Sequence, residues 1–205
     1  MLDEKGFDNW AGDYDESVKR SQSRCSYPFA GYGEVLEMVY RRVKEGRGKK
    51  ILDLGFGTAA LTKRLYDNGA ALTGLDFSEE MIKIAREKMP GARLIRHDFS
   101  KGLPAVLAGE RFDYIICTYA IHHLTQAQKI HFLKDLKNNL AGKGEIILGD
   151  VMFETREELE ACRFQAGGDW DESEVYPVIQ ELSQEIEGLR FIKISPCSGV
   201  CIIKK

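Results

Sequence analysis

Asp53-Leu54-Gly55-Phe56-Gly57-Thr58-Ala59-Ala60 is the stretch that decides the fold. The apolar run Ile51–Leu54 leads into it and reads as a strand, and Thr58–Asn68 leads out as a helix stopped by Gly69. A strand that runs through two closely spaced glycines into a helix turns sharply, and its backbone can approach a ligand that a Cβ would exclude. Asp76, twenty-one residues after Gly55, ends the second strand, and Asp98, followed by Phe99, ends the third. All three acids sit at carboxyl ends of strands, where open α/β sheets bind ligands.

The alternation continues on both sides. Residues 29–45 place Phe29, Tyr32, Leu36, Val39 and Val43 at helical spacing. Ala71–Leu75, Arg93–His97, Phe112–Cys117 and Glu145–Leu148 read as further strands. Ser78 caps a helix that carries Glu79 and Glu80 in its first turn. Thr125-Gln126-Ala127-Gln128 is a capping box, opening a helix with Ile130, Leu133, Leu136 and Leu140 on its buried side and Gly142 and Gly144 at its end. Strands alternating with helices in this way form a parallel sheet with right-handed crossovers. The last fifty residues change the pattern: helices near 155–165 and 174–186, then strands Leu189–Ile194 and Gly199–Lys204. The four residues Ser195–Ser198 cannot hold a crossover helix, so these two strands pair antiparallel.

The chain has 205 residues, 43% hydrophobic and 30% charged, which suits one domain with a single sizeable core. A net charge of −3 argues against a nucleic-acid partner, and Arg41-Arg42 and Lys49-Lys50 read as solvated helix and loop ends. No window approaches the ~18 apolar residues of a membrane span, and the N-terminus lacks an apolar signal core, so a cytoplasmic location is expected. The five cysteines form no Cys-x-x-Cys pair, and no metal site is expected from them.

Gly55-x-Gly57-x-x-Ala60 with an acid near +21 also fits a dinucleotide fingerprint, so an NAD-dependent oxidoreductase is a rival reading. Three features weigh against it. Asp53 stands where dinucleotide sites keep an apolar residue, because a carboxylate would repel pyrophosphate. Asp98 adds a further acid, and the chain closes on a hairpin instead of another βα unit. From residue 7 onward the chain resembles the class I S-adenosylmethionine-dependent methyltransferases, and within them the small bacterial YrrT-like branch. The resemblance rests on Phe7–Asp15, Ile51–Leu65, Leu75–Ala85, His97-Asp98-Phe99, Phe112–Leu124 and Ser195–Val200.

That resemblance implies a Rossmann-like α/β domain spanning 1–205, with a helical lid over 1–48 and a core over 49–205. Its seven-stranded sheet is expected in the order 3-2-1-4-5-7-6 with the last strand antiparallel. It also implies S-adenosyl-L-methionine as cofactor. Asp53 and the backbone at Gly55 and Gly57 would meet the methionine part, and Asp76 the ribose hydroxyls. Phe77 and Met81 would lie against the adenine, the Asp98 carboxylate would accept from its amino group, and the Phe99 amide would reach a ring nitrogen. Backbone around Cys117 and Thr118 would line the methionine side. Ala59 stands where many relatives carry a third glycine, and tighter packing is expected there.

The acceptor side is less legible. Methyl transfer from a sulfonium needs mainly alignment and exclusion of water, with a base only for acceptors of high pKa. His122 and His123, after the fourth strand, are the candidate catalytic pair; either ring could instead simply fix the turn. Tyr14, Tyr27, Tyr119 and Asp150 are candidate pocket residues. Cys117-Thr118-Tyr119-Ala120 is not the Asn/Asp-Pro-Pro-aromatic run used on amide-like nitrogens, and Pro196-Cys197 lies far from strand four. A small-molecule acceptor is expected. A cofactor-binding regulatory subunit without activity of its own is the third reading.

Overall fold

A computed structural model describes residues 26–205. Trp10, Tyr14 and most of the expected lid lie outside the described residues. The first helix, α1, spans Tyr32–Glu45. It is followed by β1 (Lys50–Leu54), α2 (Thr62–Asp67), β2 (Ala71–Asp76), α3 (Glu79–Lys88), β3 (Arg93–Arg96) and β4 (Phe112–Thr118). Then come α4 (Gln126–Leu136), β5 (Leu140–Val151), α5 (Arg156–Ala166), α6 (Ile179–Glu185), β6 (Leu189–Lys193) and β7 (Ser198–Lys204). The sheet has seven strands in the order β3-β2-β1-β4-β5-β7-β6. β1 to β5 pair in parallel, and β7 pairs antiparallel with both β5 and β6.

Adjacent apolar residues in each central strand feed opposite layers, as a sheet covered on both faces requires. Ile51, Ile116, Ile147 and Ile202 pack under α1, α2 and α3 with Val35, Val39, Leu65, Ile82 and Ala85. Leu52, Ile115, Ile146 and Ile203 pack under α4 and α6 with Phe132, Leu133, Leu136 and Ile179. The helix starts are chemically fixed. Ser78 Oγ accepts from Met81 N, and Thr125 and Gln128 complete the capping box of α4.

Four local readings are corrected by the structure. α2 begins at Thr62, because Ala59 adopts φ 65 and holds residues 58–61 in a turn. That conformation costs an L-residue about 1–2 kcal/mol, so Ala59 brings strain where a glycine would not. Leu140 is a strand residue paired with Phe112, not the end of α4. The pairing slips between Phe112 and Tyr114, and a Cβ on Gly144 would sit 2.8 Å from the Phe112 carbonyl oxygen. Gly144 therefore permits a bulge instead of stopping a helix.

Residues 174–178 are not helical. Pro177 forces the residue before it out of the α region, and Val178 bridges to Phe153. Arg42 is not simply solvated: its Nε and Nη2 donate to the two oxygens of the buried Glu145 at 2.8 and 2.5 Å, tying α1 to β5.

Candidate functional site

The parallel strands end on one side of the sheet, and the chain leaves each of them there through a turn. After β1, Gly55 (φ 71) donates from its N to Leu75 O at 2.7 Å, and Gly57 follows at φ 54. A Cβ on Gly57 would meet nothing within 4 Å among the described residues, so open space lies over this turn. After β2, Asp76 is locked by two backbone amides. Gly57 N donates to Oδ2 at 2.9 Å and Ser78 N to Oδ1 at 3.0 Å.

Asp53 lies deeper, 1% exposed, with Oδ2 accepting from Thr62 Oγ1 at 2.6 Å. Its Oδ1 has no partner among the described residues. Burial pushes the Asp53 carboxyl up to about 7; the Thr62 hydrogen bond opposes that and the nearby Asp76 adds to it.

These turns surround one cavity of about 240 Å³. Of the residues expected from sequence, Gly55, Gly57, Asp76, Phe77, Met81, Phe99, Thr118, Tyr119, His122 and His123 line it. Pro28, Phe29, Tyr32 and Leu36 close it from the N-terminal side. Other expected residues sit off the lining. Asp53 is buried at the end of β1 against Thr62, and Cys117 is fully buried in β4. Asp98 caps the turn Phe99–Lys101 by accepting from Ser100 N at 3.0 Å. Tyr27 stacks on Trp170, ring centroids 4.8 Å apart, and its hydroxyl meets that of Tyr176. Tyr14 lies outside the described residues.

The far wall is polar and more elaborate than the sequence suggested. Tyr119, at φ 51, turns the chain out of β4 into Ile121–His123. The pairing of Thr118 with Gly149 sets Asp150 beside this turn. Asp150 is fully buried: its Oδ2 accepts from Ile121 N at 3.1 Å, and its Oδ1 from Val151 N at 2.7 Å. His122 Nδ1 lies 2.6 Å from the same Oδ1, and Nε2 lies 3.4 Å from Glu174 Oε1.

Burial alone would lower the His122 pKa, but the Asp150 carboxylate outweighs it and the net direction is up. His123, its ring centroid 4.2 Å from that of His122, is driven down to about 3 by burial and by its neighbour. Glu174 and Asp171 complete the wall. Sequence reading missed both: residues 174–186 had a helical pattern, and Asp171 lay in the connection before it, where no pattern marked it. The extended segment that carries Glu174 is pinned by Val175 N donating to His122 O at 3.0 Å, and by the buried Lys129 Nζ donating to Val175 O. Pro177 was the available signal.

The arrangement offers a ligand two unlike ends. At one end are a locked carboxylate, open glycine backbone and the apolar faces of Phe77, Met81 and Phe99. At the other are two imidazoles and two carboxylates beside Phe29, Tyr32 and Tyr119. The glycine cradle and the orphaned Asp53 oxygen fit a ligand that brings a cation and a hydroxylated ring to the first end.

Residues 51–144 match the methyltransferase-domain family. The chain is 33% identical to an uncharacterized methyltransferase of Oceanobacillus iheyensis, covering 90% of this chain and 87% of the relative. It is 35% identical to one of Anoxybacillus flavithermus, covering 78% and 72%. Among solved structures, a DhpI–SAH complex superposes with TM-score 0.70 at 16% identity, covering 97% and 93% of the two chains. The magnesium protoporphyrin IX methyltransferase of Synechocystis with bound SAH gives 0.67 at 18%, covering 86% and 84%. At these identities the structural likeness speaks for the fold. Among the described residues, no helix is long and apolar enough to cross a membrane.

Proposed function

The chain belongs to a methyltransferase family, and we propose that it is of the class I kind and transfers a methyl group from S-adenosyl-L-methionine to a small-molecule acceptor, in the cytoplasm. The observation that carries this reading is the single cavity that joins the Gly55–Asp76 end to the His122–His123 end. The cofactor, when bound, supplies a methyl group already activated on a sulfonium. Gly55 and Gly57 would cradle its methionine part, and Asp53 would lie beneath the cationic amine. Asp76 would accept from the ribose hydroxyls, with Phe77, Met81 and Phe99 against the base. The first turn of α1 and the residues before it would cover the acceptor and exclude water.

The direct test is incubation with methyl-labelled cofactor and a metabolite extract, followed by identification of the labelled product. Calorimetry should show binding of S-adenosylhomocysteine and none of NAD. Asp76→Ala should weaken that binding by ~1–3 kcal/mol, the scale for removing charge-assisted hydrogen bonds. Tight NAD binding with no response to S-adenosylhomocysteine would overturn the reading. A regulatory subunit would bind the cofactor yet label nothing.

His122 or His123 would position or deprotonate the acceptor. His122→Asn would also strand the buried Asp150, so His123→Asn is the cleaner probe. It should lower turnover about 100-fold with S-adenosylhomocysteine affinity intact. Near-normal turnover in both single asparagine variants would reduce both rings to fixtures of the turn.

A further inference from the structure

The acceptor wall holds a donor set that simple turn-fixing does not account for. His122, His123 and Glu174 each present one ligand atom, and these atoms all lie within 4.8 Å of one another. In a tetrahedral site with ligands about 2.1 Å from the ion, ligand atoms stand about 3.4 Å apart. His122 Nε2 and Glu174 Oε1 already have that separation, 3.4 Å. The rings of His122 and His123, with centroids 4.2 Å apart, meet at 67° and do not stack face to face.

Outer partners for two of the three ligands are also present. A metal-bound imidazole usually gives its other nitrogen to a carboxylate, which fixes the ring and its tautomer. Here His122 Nδ1 has Asp150, itself held by two backbone amides. Glu174 has its second oxygen fixed by the Tyr176 hydroxyl, which in turn meets Tyr27.

We propose that His122, His123 and Glu174 bind one divalent transition-metal ion of the zinc class, leaving a coordination position open to the cavity. Two imidazoles and one carboxylate suit Zn²⁺, Co²⁺ or Ni²⁺ and not Mg²⁺ or Ca²⁺, which favour all-oxygen shells. All three ligands line the cavity, at the end away from the glycine turn. The open position would take an oxygen or sulfur of the acceptor, whose proton passes to solvent as the metal lowers its pKa. That last role rests on the methyltransferase reading; ion binding itself does not.

The experiment is a titration of the metal-stripped full-length protein with Zn²⁺ by calorimetry and with Co²⁺ by visible absorption, both without cofactor. The expected result is one ion per chain and the intense visible bands of four-coordinate Co²⁺. His123→Ala and Glu174→Gln should each weaken binding at least tenfold, and Asp150→Asn by about 10–100-fold. His131→Ala, an exposed histidine on α4, should leave affinity unchanged. Each variant's melting curve is recorded, and Glu174→Gln, at a partly exposed position, keeps the test open if Asp150→Asn unfolds. Absence of Zn²⁺ binding by the wild type, or equal affinity in His123→Ala, Glu174→Gln and His131→Ala, overturns the proposal. S-adenosylhomocysteine binding is measured on the same stripped protein. Its loss alone would sink the methyltransferase reading and leave the metal site standing.

Discussion

Asp53→Asn should make the ligand-free protein more stable at pH 8, by up to about 4 kcal/mol, and should leave it nearly unchanged at pH 4. The cause is a carboxyl with one oxygen on Thr62, the other without a partner, and almost no exposure. Burial moves it from an ordinary value of 3.8 to about 7. Each pH unit of such a shift corresponds to about 1.4 kcal/mol between the protonation states. An acid whose folded-state pKa is raised holds its proton more tightly when folded, so ionising it opposes folding. The cost is absent below about pH 4, grows as pH rises towards 7, and is complete above that. Asparagine has the same shape and never ionises, so the variant escapes the cost. At pH 4 the amide N–H stands where the protonated carboxyl carries its O–H, so variant and wild type are nearly matched there. For a domain of this size the melting point at pH 8 should rise by several degrees.

Ligand binding should move the other way. If the cationic end of S-adenosylhomocysteine lies near Asp53, wild-type affinity should climb between pH 5 and 7 as the carboxylate ionises, and the variant should bind at least tenfold more weakly at pH 8. A wild-type-to-variant stability difference that stays constant from pH 4 to 8 would refute the account of Asp53.

The two glycines of the first turn should fail in different ways. In Gly55→Ala the new Cβ would stand 2.6 Å from Ala120 Cβ and 3.4 Å from Phe99 Cε1. Ala120 has no rotamer with which to retreat, and the amides of its neighbours Tyr119 and Ile121 donate to the Gly149 carbonyl and to the Asp150 carboxylate. Overpacking of this kind costs about 1–3 kcal/mol, and the left-handed backbone at φ 71 adds about 1–2. The variant should therefore lose roughly 2–5 kcal/mol of stability, together with the cavity floor. Gly57→Ala meets no atom within 4 Å among the described residues and carries only the backbone strain of φ 54. Its methyl group occupies the open space instead, so it should stay folded and lose cofactor binding. Chemical denaturation and calorimetry on the pair separate the two effects. Equal losses of stability, or normal binding by Gly57→Ala, would contradict this account of the turn.

What the sequence made legible follows from how local each signal is. Glycines at fixed offsets, acids at strand ends and the four-residue gap at 195–198 are short-range features, and they led to the parallel βα units, the closing antiparallel pair and most of the cavity's first end, while the strand order came with the family resemblance. The second end depends on contacts between distant segments. His122 meets Asp150 only because β4 and β5 pair in the register Thr118 to Gly149. Glu174 reaches His122 only because the chain before α6 is extended, where apolar spacing alone favoured a helix. Asp98 illustrates the opposite problem: the same residue serves a local cap and a ligand-facing position, and pattern cannot separate the two. Arg42 and Glu145 are 103 positions apart, and nothing in either neighbourhood marks them as a pair.

The place of β7 has a consequence for how the protein is made. This strand inserts between β5 and β6, yet it is synthesised after both. While the chain is still emerging from the ribosome, β5 presents Ile146, Ile147 and Leu148 on an unpaired edge, and β6 has no sheet to join. Such an edge invites pairing with other chains. Synthesis proceeds from the N-terminus, so the first five strands can assemble early while closure waits for residues 198–204. Truncated or stalled products that lack this last strand should therefore be the species that chaperones hold and proteases clear.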